Sequence, residues 1–349
     1  MDATPQTGKP PLLRRRAAWA ALALLTGVLV WGAVPPRPRL LSGAPFSGNG
    51  LWVRHFWLER RQRQSDIERL AHLCEAHSIR YLYLHAGQPD DAGRLPKRDT
   101  AAARANVVRL HRAARDVKLL AWVGGPRSRF SLADAKARTR LVRETIAFVE
   151  AVGLDGVQWD IEPYLDADPH FLALLDETRS AARPEMLIGV AAPWLKPAWF
   201  PARRAGWSPT YYSKVAARCD QIAVMCYDTH IPLPRFYAWF VGWQTRAISK
   251  AVATPPARRL LIGLPTYDSV GIRHRACAEN IATGLAGVMG ATDAGEIKPA
   301  LSGVAVFAEW STDAGEWSAY DRLWLARGRA ATATQERRGR RDAFSRRPR

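Results

Sequence analysis

The sequence predicts an α/β protein: a (β/α)8 TIM barrel preceded by one N-terminal transmembrane helix. Three observations carry this. About eight short apolar runs, each rich in Val, Ile, Leu and aromatic residues, alternate with longer segments of helical period. Such alternation builds a parallel sheet, and eight repeats close it into a barrel. Ahead of the first run, residues 17–34 are free of charge and almost wholly apolar, and the 349 residues of the chain leave ample length for a one-domain barrel.

The N-terminal run is preceded by Arg14, Arg15 and Arg16. About 18 residues at the helical rise reach roughly 27 Å, enough for a bilayer core. Trp19 and Trp31 near its ends suit the two interfaces, and the arginines hold the N-terminus on the cytoplasmic side. Small residues offer cleavage sites ending at Val34 and Ala44, but Pro35 and Pro45 follow them and hinder a signal peptidase. An uncleaved signal anchor is expected, with the barrel periplasmic or extracellular. The chain divides into a basic cytoplasmic tail (1–16), the anchor (17–34), a linker (35–49), the barrel (50–325) and a disordered basic tail (326–349).

A hydrophobic fraction of 48% excludes disorder of the whole, and the formal net charge of +19 is concentrated at the ends: Arg14, Arg15, Arg16, Arg37 and Arg39, then residues 327–349. Such tails make nonspecific contacts with anionic surfaces. No nucleic-acid motif accompanies them, so specific DNA or RNA binding is not expected. Cys74, Cys219, Cys226 and Cys277 lack metal-ligand spacing and are too few for a disulfide scaffold. Cys219 and Cys226 flank one predicted strand and suit buried positions; a single disulfide stays open.

The strand-like runs are 51–57, 79–85, 119–124, 154–162, 186–191, 221–227, 260–264 and 304–308. Between them, Ile67, Leu70, Ala71, Leu73 and Cys74 form one helical stripe, and Leu141, Thr145, Ile146, Phe148 and Val149 another. Ser65 followed by Glu68 reads as a helix start. A doubly wound open sheet is the alternative, weakened because no Gly-rich phosphate loop follows the first run.

The fourth run carries the chemistry. Gln158, Asp160 and Glu162 alternate along it, and alternate strand residues share a face, so Val157, Trp159 and Ile161 point the other way. Two carboxylates this close repel, which pushes one pKa up and keeps a proton donor at neutral pH. A solvated acidic rim at a strand end is the plainer alternative. Barrel enzymes place their sites at the C-terminal strand ends. There the sequence puts Arg54 and His55 in the first strand, His85 in the second and Gly124-Gly125 after the third. Trp194 follows the fifth, Tyr227-Asp228 end the sixth, Tyr267-Asp268 follow the seventh, and Glu309-Trp310 the eighth. Aromatic rings with carboxylates suit a sugar, whose C–H faces stack while its hydroxyls need polar partners. His170 and His230 are isolated and read as ordinary polar residues.

The stretch LDGVQWDIEP resembles the signature DGxDxDxE of glycoside hydrolase family 18, the chitinase-like family. Other family patterns recur in order: a Gly pair at Gly124-Gly125, MxYD at Met225-Cys226-Tyr227-Asp228, and GxPxY at Gly263-Leu264-Pro265-Thr266-Tyr267. The resemblance covers roughly residues 50–325. It implies a barrel that cleaves a glycan containing N-acetylhexosamine by a substrate-assisted, retaining route. Glu162 would be the general acid and then base, Asp160 would hold the acetamido N–H, and Tyr227 would bond the acetamido carbonyl. Gln158, Asp228, Tyr267, Trp310, Phe307, Trp194, His85 and Arg54 are the candidate substrate-binding residues.

The chain departs from the family at Gln158, where an aspartate is usual. An amide cannot titrate, and is expected to donate a hydrogen bond to Asp160. The family's sugar-stacking tryptophan aligns by spacing with Phe307, with Trp310 three residues on; strand alternation predicts that the two do not face the same way. No metal or organic cofactor is implied. The expected partners are a polysaccharide or oligosaccharide substrate and the membrane. A catalytically silent glycan-binding barrel, or a barrel enzyme of another class using the same acids, are the other readings.

Overall fold

The computed structural model describes residues 11–36, 46, 48–125, 130–162, 164–197, 206–253, 259–269, 274–293 and 300–325. Residues 1–10 of the basic N-terminal tail, the tail at 326–349 and most of the linker lie outside the described residues.

The first element is helix α1, Pro11–Ala33. Within it, Arg16–Ala33 is long and apolar enough to cross a membrane, and nearly all of it is exposed. Eight strands follow: β1 Asn49–Val53, β2 Ile79–Gly87, β3 Lys118–Gly125, β4 Gly156–Ile161, β5 Leu187–Pro193, β6 Gln221–Met225, β7 Arg259–Pro265 and β8 Leu301–Phe307. Helices α2 Gln64–Ala76, α3 Thr100–Ala113, α4 Ala135–Val152, α5 Pro169–Ala181, α6 Pro209–Ala216, α7 Pro234–Ala251, α8 Ile281–Asp293 and α9 Ala314–Tyr320 alternate with them. Each strand pairs in parallel with the next, and β1 returns to β8 through Gly50↔Ala305 and Leu51↔Val306, closing the barrel.

Strand parity sorts the side chains into two cores. Val157, Trp159 and Ile161 join the larger one, between strands and helices, as the alternation predicts. The barrel interior holds Trp52, Tyr81, Tyr83, Leu120 and Trp122 against Ala191, Ala223, Leu261 and Ala305. Large rings on β1 to β3 thus face alanines on β5, β6 and β8, which is how side chains fill a closed barrel. Gly50 belongs to this fit, since a Cβ there would stand 2.8 Å from the Tyr83 ring.

Five of the helices, α3, α4, α5, α6 and α9, are started by side-chain caps. Asp99, Asp134, Asp168, Ser208 and Asp313 each accept a bond from a first-turn N–H, about 0.5–2 kcal/mol apiece. α2 differs from the sequence reading. It begins at Gln64 after Arg63, with no side-chain cap, so Ser65 and Glu68 form no capping box; Asp66 instead pairs with Arg63 and Arg69. The first strand also stops earlier than predicted. It ends at Val53, Arg54 lies outside it, and His55 starts the 3-10 turn His55–Leu58. That turn buries Trp57 and Leu58, which explains why an apolar run outlasts the strand. The four cysteines carry free thiols, and Cys219 and Cys226 are fully buried as expected.

Candidate active site

Strand β4 runs beside β3 in a register that pairs Trp122 with Gln158 and Gly124 with Asp160. All four therefore lie at the same end of neighbouring strands, and the inward parity of Gln158 and Asp160 turns both into the barrel mouth. Asp160 is 3% exposed. Its Oδ2 accepts the Trp122 indole N–H at 2.8 Å, and its Oδ1 lies 2.5 Å from the Tyr164 hydroxyl. The same hydroxyl bonds the Ala191 carbonyl oxygen on β5. Burial pushes the Asp160 carboxyl up, while its bonds to Tyr164 and Trp122 pull the other way. Withdrawal from water is the largest cause of the rise.

The backbone at Gly124 makes this packing possible. Its φ is +118°, and a Cβ there would stand 1.9 Å from the Asp160 carbonyl oxygen. Gly124, near the end of β3, thus has a steric reason: the two strands approach too closely there for any side chain. Glu162, one residue beyond β4, is half-buried. Its charge and that of Asp160 both act on the Tyr164 and Tyr227 hydroxyls, which burial already holds far above the usual phenol range.

Gln158 behaves differently from the sequence expectation. It is fully buried, its Oε1 accepts the Trp52 indole N–H at 2.9 Å, and its Nε2 has no hydrogen-bond partner among the described residues. The amide is committed to β1, so it makes no bond to Asp160. Trp52, Trp122 and Tyr164 were not singled out in the sequence. The parity of Trp122 with Gly124 was a signal that could have found it; Tyr164 lies beyond the strand, where parity says nothing.

An aromatic surface covers the mouth, with Phe307 at its centre. Tyr227 stacks on it at 5.0 Å and 24°, and Trp52, Trp122, Tyr267 and Trp310 meet it edge-on at 5.5–6.2 Å. β8 ends at Phe307 and Trp310 lies beyond it, where the two rings meet at 5.5 Å, so alternation does not separate Phe307 from Trp310. Phe307 lies deep and Trp310 at the rim, 37% exposed, with the Arg54 guanidinium 5.9 Å from its ring. Arg54 also bonds the Trp310 carbonyl oxygen and lies 4.0 Å from Glu309, whose carboxyl burial pushes up against the pull of Arg54.

His85 packs 4.4 Å from Trp122, with Nε2 3.2 Å from the Gly124 oxygen, and burial lowers its pKa. The Tyr267 hydroxyl donates to Asp228 Oδ1 at 2.6 Å. Trp194 instead packs against Phe240 of α7, outside the rings gathered on Phe307. Asp228, His274 and Glu279 bring one ligand atom each within 4.8 Å of one another. Glu279, however, already accepts from the Thr229 N–H and hydroxyl and faces His274, an arrangement that fits a loop tie.

The model of the glycosyl hydrolases family 18 matches residues 61–333, most of the chain. The chain belongs to glycoside hydrolase family 18. No curated protein matches it. Among solved structures, a chitinase from Bacteroides thetaiotaomicron is 14% identical, with 80% of this chain and 96% of that one covered and a TM-score of 0.57. A family 18 chitinase from Cycas revoluta in complex with (GlcNAc)3 is 16% identical, covers 79% and 99%, and scores 0.55. The Bacillus cereus spore cortex-lytic enzyme SleL is 9% identical, covers 81% and 75%, and scores 0.55. At these identities the structures share the fold.

Proposed function

We propose that this family 18 barrel is a membrane-anchored glycoside hydrolase that cleaves an N-acetylhexosamine-containing glycan with the substrate's own acetamido oxygen as nucleophile. One observation carries the reading. Asp160, buried at the end of β4, is bonded by Trp122, whose ring meets Phe307, and the charges of Asp160 and Glu162 both act on Tyr227, which stacks on Phe307. Glu162 is placed to protonate the glycosidic oxygen and then to activate water. Asp160 supplies an oxygen for the acetamido N–H, and Tyr227 a hydroxyl for its carbonyl. Phe307 and Trp310 give a sugar ring two apolar faces, one deep and one at the rim. Substrates of this class are consistent with the (GlcNAc)3 named with the Cycas enzyme. The apolar helix α1 supports attachment to a membrane, with the barrel outside the cytoplasm.

The test is a panel of N-acetylated and deacetylated oligosaccharides with products read by mass spectrometry. Cleavage of the N-acetylated members alone is expected. Equal cleavage of chains with a free amine at the reacting ring would sink the substrate-assisted route. A silent glycan-binding barrel is the reading that Gln158 favours, since the usual acid is missing there; binding without any product would select it.

A further inference from the structure

Helix α7 turns an unusual face outward. Tyr237, Ala238, Val241, Thr245 and Ile248 bury its inner stripe. On a barrel helix the opposite stripe is ordinarily charged and polar. Here it carries Phe236, Trp239, Phe240 and Trp243, followed by Arg246 and Lys250, all partly or fully exposed. Trp239 is 63% exposed, and its ring stacks on Trp243 at 6.5 Å and 10°. No acid stands anywhere on α7, and the one acid of α8 is its last residue, Asp293.

Beside this stripe a cleft of about 250 Å³ runs between α7 and α8. Trp31 and Pro36, at the end of α1, share its lining with Arg235, Trp239, Arg246 and Gly290. The Arg246 guanidinium lies over its floor, 3.7 Å from where a Gly242 Cβ would stand, and the space at Gly290 is open. Trp31 is held there, with Arg235 4.7 Å from its ring and Phe236 edge-on at 6.1 Å. It lies two residues inside the end of Arg16–Ala33, the stretch long and apolar enough to cross a membrane. At the helical rise that is about 3 Å, so the cleft opens at the depth where the span leaves the hydrocarbon.

From this geometry we infer that the α7–α8 cleft, with its rim of Trp239 and Trp243, is a docking surface for anionic phospholipid of the bilayer that α1 enters. The inference rests on the membrane-anchored reading of α1 and adds a second point of attachment to it. Each part of the surface has a task. Indole rings settle at the headgroup level, where one edge is apolar and the other wet. Arginine offers a fork of N–H donors that fits a phosphate, and no acid nearby repels it. The alanine and glycine floor suits the apolar part of the lipid below the headgroup. A sugar fits less well, because its hydroxyls need polar partners on several sides, and no carboxylate or amide side chain lines the cleft.

Photocrosslinking of the full chain in lipid nanodiscs tests the surface independently of any activity. The probe is phosphatidylglycerol carrying a diazirine close to its headgroup, and crosslinked peptides are mapped by mass spectrometry. Crosslinks are expected on α1 and also on the α7 and α8 peptides that hold Trp239 and Gly290. With phosphatidylcholine bearing the same diazirine, labelling of α1 should persist and labelling of the cleft should fall. Arg246→Gln should lower cleft labelling by phosphatidylglycerol about fivefold, the contribution of one arginine near an anionic surface. Trp239→Ser should lower it with either lipid, and neither variant should change labelling of α1. Far-ultraviolet circular dichroism checks that both variants fold. Labelling of α1 without the cleft would overturn the docking surface and leave the anchor standing; labelling of neither would overturn the anchored reading itself. Cleft labelling that is equal for the two lipids and unmoved by Arg246→Gln would overturn the choice of an anionic headgroup. Protection of the cleft by a soluble N-acetylated oligosaccharide would make it a glycan site and overturn the lipid assignment.

Discussion

At Glu162 an amide preserves the shape of the side chain and removes its proton. The Glu162→Gln variant should lower turnover by roughly two to four orders of magnitude, the usual contribution of general acid–base catalysis. Oligosaccharide binding, followed by calorimetry, should survive, because the stacking rings are untouched. Asp160→Asn should also abolish most turnover, yet its effect on stability runs the other way. The folded protein holds the Asp160 carboxyl above its ordinary pKa. Between the unfolded and folded pKa values the native state binds more protons than the unfolded chain, so stability falls as pH rises through that window. Asparagine removes this slope. Relative to its own value at acid pH, Asp160→Asn should melt progressively higher than the wild type as pH is raised to neutrality. Parallel pH–melting curves for the two proteins would refute a raised Asp160.

The strand ends decide how much of this was legible in advance. Seven of the eight runs coincide closely with strands because a buried parallel strand must be apolar on both faces, and that constraint is written in composition. β1 stopped short because Trp57 and Leu58 are buried by a turn rather than by a ladder, and apolar composition cannot tell the two apart. The acids of β4 were readable from period-two alternation. Tyr164 was not, since its contact with Asp160 depends on a loop that carries it back to the strand it has just left. The contact between Gln158 and Trp52 spans 106 residues and follows only from barrel closure.

Gly124 at the end of β3 offers a test at this level. Alanine there meets both a positive φ and the Asp160 oxygen at 1.9 Å, whereas alanine at Gly153, after α4, meets a positive φ with open space around it. Gly153→Ala should cost about 1–2 kcal/mol, the strain of a left-handed residue, and leave turnover unchanged. Gly124→Ala should cost more in denaturant titration and depress turnover as well, because β4 must shift and carry Asp160 with it. Equal losses in the two variants would refute the steric role of Gly124.

The whole molecule adds an orientation that neither the helix nor the barrel has alone. α1 meets the barrel at its last turn. Trp31 packs on Phe236 and under the Arg235 guanidinium, Arg235 bonds the Val34 carbonyl oxygen at 2.9 Å, and Gly32 lies against Leu233 and Phe236. These residues belong to the start of α7, and the first turn of a barrel helix lies on the side where the preceding strand ends. That side is the mouth. If α1 spans a bilayer, the mouth is tethered at its own rim, and the substrate it meets most often is glycan close to the membrane surface. The full chain reconstituted in lipid nanodiscs tests this. A fluorophore on Asp268→Cys, exposed beyond β7 at the mouth, should be quenched by lipids spin-labelled at the headgroup. One on Arg115→Cys, exposed before β3 at the opposite end, should be quenched much less. Equal quenching at both positions would show the barrel lying on its side or tumbling on its tether, and stronger quenching at Arg115→Cys would show the mouth turned away from the membrane.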